Sequence, residues 1–292
     1  MMMGHGTIAT RDAEPAEAAQ TARDAQPVER PGAAAELELI DVSKEYQARH
    51  GSVVALQKVS LSVRQREFIS LVGRSGCGKT TLLRILAGLV HPTGGQVLAG
   101  GAPLWKDGTR DSETIRRLGI VFQDANLFPW YTVEDNIALP LKLRGTGKSE
   151  RRARARELCE LVGLTGFERS YPRELSGGMR QRVAIARALS YRPGILLMDE
   201  PFGALDALTR EKMNLELQSL AAASGATVVF VTHSITEAVF LADRVVLLSP
   251  RPGRIRSVTP VDFPRPRRLE LETAPQFQDI VRELRRQLDE ET

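Results

Sequence analysis

Hydrophobic positions along this chain follow two rhythms, and their alternation lays out most of the fold. From Leu37 onward apolar and polar residues alternate: Leu37 and Leu39 first, then Leu56, Val59, Leu61 and Val63. That spacing turns one face of a sheet toward a core and the other toward water, so an opening set of strands is predicted. Short runs apolar on both faces recur at Phe68–Val72, Leu118–Phe122, Ile195–Met198, Thr227–Val231 and Arg244–Leu248. Strands of this kind, separated by helical stretches, predict an α/β architecture with a mainly parallel sheet covered on both sides. Between Phe122 and Ile195 helical spacing takes over, at Val133–Leu143, Glu150–Val162 and Met179–Leu189. An inserted helical subdomain of about residues 124–190 is therefore expected, with Ser149 and Gly163 as start and stop signals of its middle helix.

The two ends read differently. Residues 1–35 contain no aromatic side chain and are rich in Ala, Glu, Gln, Arg and Pro. They bury too little surface to offset the entropy of ordering, so a disordered leader is expected before a main domain of residues 36–262. In the tail, residues 263–292, Phe277, Ile280, Val281, Leu284 and Leu288 share one helical face after Pro275. A terminal helix docked on the body is predicted.

Composition narrows the class without choosing a function. The chain has 292 residues, 42% hydrophobic and 26% charged, enough for one large or two modest domains with a real core. No stretch approaches the roughly 18 consecutive apolar residues of a membrane span, and the N-terminus lacks a secretory apolar region, so the chain is expected to stay in the cytosol. Cys77 and Cys159 cannot make a disulfide framework, and no metal-ligand spacing surrounds them. Both read as small unpaired hydrophobes. A net charge of +4 is too mild to demand nucleic acid.

The chemistry begins at Gly73-Arg74-Ser75-Gly76-Cys77-Gly78-Lys79-Thr80, between the strand ending at Val72 and the helical Thr81-Leu82-Leu83. Glycines let backbone N–H groups turn inward to cradle phosphates, and the helix start adds its positive dipole end. Lys79 is placed to reach the β- and γ-phosphates and the Thr80 hydroxyl to ligate Mg²⁺. Farther on, the apolar strand Ile195–Met198 ends in Asp199 and Glu200. Asp199 suits Mg²⁺, directly or through water, and Glu200 suits the water that attacks the γ-phosphate. Alone, an Asp-Glu pair merely opens a solvated loop; after a buried strand it means more. Ser176-Gly177-Gly178 places a hydroxyl and free N–H groups at a helix start, which reads either as an ordinary cap or as an anion site.

Phosphate loop, Leu175-Ser176-Gly177-Gly178 and Asp199-Glu200, in this order and spacing, resemble the ATPase subunits of ABC transporters over roughly residues 36–260. The resemblance implies a P-loop NTPase fold, a RecA-like mostly parallel sheet with helices on both faces, carrying an antiparallel β subdomain and the helical insertion. It implies that Gln123 touches Mg²⁺ and the attacking water, that His233 lies near the γ-phosphate, and that Asp206 in Gly203-Ala204-Leu205-Asp206 lies at a dimer interface. Tyr46 matches the aromatic residue that stacks on adenine. Met179 stands where the commonest signature has Gln, so any contact that glutamine makes is in doubt, whereas the Ser176 and glycine backbone roles survive.

In such ATPases two copies sandwich two ATP molecules, each phosphate loop facing the other copy's Ser176-Gly177-Gly178, and loss of the γ-phosphate reopens the pair. The resemblance implies a peripheral protein on the cytoplasmic face of the inner membrane, beneath permease subunits fed by an external solute-binding protein. Phe128, Trp130 and Tyr131 read either as core packing of the helical subdomain or as the groove that receives a permease helix. Residues 123–130, 199–210 and 248–255 look like the nitrate, sulfonate and taurine importer branch. A nucleic-acid-acting ATPase is the competing reading. It rests on six arginines and one acid within residues 251–268, a run that more often reads as a solvated edge. A kinase or GTPase leaves Ser176-Gly177-Gly178 and His233 unexplained.

Overall fold

The computed structural model describes Met1 and residues 35–48 and 51–290; the expected leader falls almost wholly outside them. In chain order the elements are β1 (Ala35–Ala48), β2 (Gly51–Arg64), β3 (Phe68–Val72), α1 (Lys79–Leu86), β4 (Gly94–Ala99), β5 (Ala102–Pro103), β6 (Trp105–Lys106), β7 (Thr109–Arg110), α2 (Ser112–Ile115) and β8 (Leu118–Val121). The insertion supplies α3 (Val133–Leu143), α4 (Lys148–Leu161) and α5 (Gly177–Leu189). There follow β9 (Ile195–Asp199), α6 (Ala207–Ser224), β10 (Thr227–Val231), α7 (Ile235–Leu241), β11 (Arg244–Leu248), β12 (Ile255–Pro260) and α8 (Pro275–Asp289).

The central sheet has the order β12-β11-β3-β10-β9-β8. All neighbours run parallel except the edge strand β12, which is antiparallel to β11. Alternation along the inner strands explains why it is covered on both faces. Ile69 and Leu71, Ile195 and Leu197, and Val229 and Val231 face one core with α1 and the four-stranded antiparallel sheet β2-β1-β4-β5. Phe68 and Val72, Leu196 and Met198, and Val228 and Phe230 face a second core with the helices. Each such side chain contributes about 1.5–3 kcal/mol by leaving water, which pins the strand ends that carry the chemistry.

The sheet places these strands where the apolar runs predict them, and the mostly parallel α/β fold is as expected. Two boundaries differ. The middle inserted helix starts at Lys148 with Gly147 as its cap, so Ser149 lies inside the first turn rather than ahead of it. The helix expected from Met179 begins at Gly177 instead, because the Ser176 hydroxyl accepts from the Met179 N–H and caps the turn two residues earlier. In the tail, Phe277, Val281 and Leu284 of α8 are buried against the helical-side core, with Ile280 and Leu288 packed beside them.

The arginine run is not one solvated strip. Arg254 bonds Gln57, Arg256 pairs with Glu290 and Arg265 pairs with Asp243. Arg267 is buried, donating to the carbonyls of Val239, Phe240 and Ala242 at the C-terminal end of α7 and to that of Val261. Burial lowers its pKa to about 10, where it still carries its charge at neutral pH. It ties the α7 end to the tail.

Candidate functional site

The phosphate loop leaves β3 at Val72 and enters α1 at Lys79, with Gly78 as the cap residue at φ 105°. A Cβ on Gly78 would sit 2.7 Å from Leu56 and 2.9 Å from the Ala55 carbonyl, so glycine is needed there for both backbone sign and space. The loop wraps one side of a cleft of roughly 270 Å³. Tyr46, Ser75, Gly76, Gly78, Lys79, Thr80, Thr81 and Glu200 line that cleft, together with Val53, Ala55 and Arg251. Gly73, Arg74 and Cys77 belong to the same loop without lining the cleft. Cys77 is buried beneath it.

Lys79 folds over its own loop, its Nζ donating to the Gly73 carbonyl at 2.7 Å and the Arg74 carbonyl at 3.2 Å. Across the cleft floor the Thr80 hydroxyl donates to Asp199 Oδ1 at 3.3 Å. Burial pushes the Asp199 carboxyl above its ordinary value; the Thr80 hydrogen bond opposes this, and the neighbouring Glu200 charge adds to it. Hydroxyl and carboxylate oxygens are the hard donors that Mg²⁺ takes, so this pair fits that ion.

Glu200 sits just past the end of β9 at φ 44°, a left-handed conformation that costs a non-glycine residue about 1–3 kcal/mol. Its N–H donates to the Val231 carbonyl at 2.9 Å, which fixes the strained turn to β10. His233, two residues beyond β10, has Nδ1 3.2 Å from Glu200 Oε2, close enough for an N–H there to donate to the carboxylate. Gln123 follows β8 at the edge of this group. Its Nε2 lies 3.5 Å from where a Cβ on Gly203 would sit, and Glu200 Oε2 lies 3.8 Å from the same point. Gln123 is not among the residues lining the cleft.

A second cluster lies elsewhere on the chain. Ser176 caps α5, and Asp206 caps α6 by accepting from the Thr209 N–H at 3.0 Å. Hydrogen bonding from the Thr209 side chain, then from its N–H, holds the Asp206 carboxyl below its ordinary value. A Cβ on Gly178 would lie 3.1 Å from Thr209, so the two helix starts pack side by side. Ser176, Gly177 and Asp206 are exposed, and none of them lines the nucleotide cleft of its own chain.

A family model described as ABC transporter matches residues 56–203, which include the phosphate loop, Ser176-Gly177-Gly178 and Asp199-Glu200. The chain belongs to the ABC transporter family. It is 47% identical over 257 residues to the taurine import ATP-binding protein TauB of Burkholderia pseudomallei (strain 1710b), covering 86% of this chain and 96% of that protein. It is also 47% identical to the nitrate import ATP-binding protein NrtC of Synechococcus elongatus, over 80% of this chain and 35% of that longer protein. Among solved structures, the ATP-binding cassette MJ0796, in a dimeric post-hydrolysis state bound to ADP and Pi, aligns with TM-score 0.68 and 35% identity. That alignment covers 78% of this chain and 99% of the cassette. ATP-binding subunits of this family are ATPases coupled to transport, and this protein is one of them. The described residues include no helix long and apolar enough to cross a membrane.

Sequence reasoning missed Arg251. It lies far from the phosphate loop in sequence and reached attention only as part of a charge run. The aromatic stretch, open between two readings, is largely exposed: Trp130 is 67% and Phe128 37% accessible, in tilted ring contact with each other and edge-on or tilted contact with Tyr131. Asn136 in α3 holds that loop by accepting from the Phe128 N–H and donating to the carbonyls of Phe128 and Tyr131.

Proposed function

We propose that this protein is the ATP-hydrolysing subunit of an importer for a small anion such as taurine, another sulfonate or nitrate. The observation that carries the importer reading is the near full-length likeness to the taurine import protein, 96% of which is covered. Residues 36–262 form the ATPase domain, with a helical subdomain of about 124–190, and residues 263–292 a tail. The protein works as two copies on the cytoplasmic face of the membrane. A permease lies above them, and an external solute-binding protein delivers the cargo.

The adenine stacks on Tyr46, and the N–H groups of the loop from Gly73 to Thr81 hold the phosphates, with Lys79 turning from its loop carbonyls to the β- and γ-phosphates. Thr80 and Asp199, with Gln123 at the rim, hold Mg²⁺, which when bound neutralises charge on the β- and γ-phosphates. Glu200 orients the attacking water and accepts its proton. His233 keeps that carboxylate aimed and sits where the γ-phosphate arrives. Ser176, Gly177, Gly178 and Asp206 complete the pocket of the opposite copy, because their own cleft lacks them.

The aromatic patch of Phe128, Trp130 and Tyr131 is the seat of a short permease helix. It is exposed, rigidly held by Asn136 and continuous with the Gln123 segment, so docking there would be felt at the cleft. Trp130→Ala is expected to leave ATP hydrolysis by the free subunit within about twofold while abolishing co-purification with the permease and cargo-stimulated ATPase activity in proteoliposomes. Normal assembly and stimulation in that variant would remove the patch from the interface. Stimulation by neither sulfonates nor nitrate in the unmodified complex would remove the cargo assignment.

A further inference from the structure

The loop between β11 and β12, residues 249–254, lies directly against the phosphate loop. Gly253 is buried, its N–H donates to the Ala55 carbonyl at 2.9 Å, and its carbonyl accepts from the Gln57 N–H at 3.0 Å. A Cβ on Gly253 would stand 2.1 Å from the Cys77 carbonyl, so the two loops touch backbone to backbone. Ser249 closes the turn internally. Its N–H donates to the Arg254 carbonyl at 2.9 Å, and its hydroxyl oxygen accepts from the Arg254 N–H at 3.1 Å. Arg254 is fastened to Gln57. The loop is therefore a fixed bracket, anchored to β2 on one side and to the phosphate loop on the other.

Arg251 stands on this bracket and lines the same cleft as Tyr46 and Lys79. Its Nη2 lies 3.8 Å from where a Cβ on Gly76 would sit, beside the middle of the phosphate loop. Arg254, Arg256, Arg265 and Arg267 of the same run each bond to the protein, whereas no hydrogen bond or ion pair among the described residues engages the Arg251 guanidinium. A cation carried on an anchored backbone and left with unused donors at the rim of a polyphosphate site has an evident ligand. We propose that Arg251 is a further nucleotide-binding residue, its planar fork contacting the β- or γ-phosphate beside Gly76 of the loop. Because the bracket is already ordered, little conformational entropy is lost on contact. The proposal rests on the ATPase reading and adds a phosphate ligand that neither the loop motif nor its spacing contains.

Equilibrium titration of the full chain with ATP, ADP and AMP, each with Mg²⁺ and at two salt concentrations, tests it. Arg251→Ala is expected to weaken ATP and ADP binding by about tenfold or more, in line with a charge-assisted hydrogen bond. AMP binding should change by less than about twofold, and the ATP defect should shrink at high salt. Arg251→Lys should recover part of the affinity. Gly253→Ala keeps the guanidinium but forces the bracket off the phosphate loop, so it should lose ATP affinity as well. An ATP affinity for Arg251→Ala within twofold of the unmodified protein would overturn the proposal. An equal loss for all three nucleotides would also overturn it, since that pattern belongs to the adenosine end or to a distorted cleft. Failure of the unmodified protein to bind ATP would instead sink the ATPase reading itself.

Discussion

The cleft around Lys79 and the surface around Ser176 are both helix N-termini equipped for anions, yet they are built in opposite ways. At the first, the loop after β3, with Lys79 and Thr80 of α1, and Glu200 just after β9 line one cleft, and Asp199 at the end of β9 bonds Thr80. At the second, Ser176 and Asp206 cap neighbouring helices on an exposed face, with their polar side chains turned back on their own backbone N–H groups. The cleft is a site that one chain can form. In the proposed reading the exposed face becomes a site only when a second copy's triphosphate is laid across it, the negative charge that free helix N-termini favour.

The contrast is sharpest if each half is broken separately. Lys79→Ala should cost the largest effect on the isolated chain, an ATP affinity lower by on the order of a hundredfold, as expected for losing an ammonium contact to phosphate. Isothermal titration of the monomer reads it directly, and undiminished binding would mean the cleft is not the nucleotide site. Ser176→Arg should leave that monomer affinity within about twofold while reducing steady-state ATP hydrolysis by roughly tenfold or more, because a bulky cation now blocks the mating face. Equal loss in both assays would erase the distinction between the two halves.

A smaller effect probes the link between His233 and α7. Glu237 is buried, its Oε2 accepts from the Thr232 hydroxyl, and its Oε1 finds no partner among the described residues. Burial raises its pKa, with the Thr232 hydrogen bond opposing. A carboxyl whose folded pKa is raised contributes stability that is fully present below its unfolded pKa and is lost as pH climbs through the folded one. Glu237→Gln removes that loss, so the variant should gain stability relative to the unmodified protein as pH rises from 4 to 8. Denaturant melts at both ends of that range measure the difference, and a variant that loses ground to the unmodified protein as pH rises would contradict the assignment.

Much of this was readable in advance, for a physical reason. The phosphate loop, its strand and its helix are contiguous, so spacing alone states their geometry. Asp199 and Glu200 sit at a strand end for the same reason. Ser176 announces a cap, although not that α5 would start two residues ahead of Met179. The two-residue strands β5, β6 and β7 carry no pattern of their own and exist through pairing with neighbours. Arg267 looked like surface charge because nothing local reveals that the carbonyls at the end of α7 await it across the fold. Arg251 shares that concealment: its partner loop is close in space and remote along the chain. Cys77 and Cys159 are both buried, as their reading as small hydrophobes implies, and burial, with the charges of Glu168 and Glu134, pushes the Cys159 thiol to about 12, well away from reactivity.

The central claim is that the pocket is split between two copies and closed by the γ-phosphate. Sedimentation velocity of Glu200→Gln with Mg²⁺-ATP and then with Mg²⁺-ADP tests it most directly, since that variant should hydrolyse slower by about a hundredfold or more and hold the triphosphate in place. A dimer with ATP that reverts to monomer with ADP is the predicted result. A species that stays monomeric with both nucleotides, with the permease present as well as without it, would contradict the account.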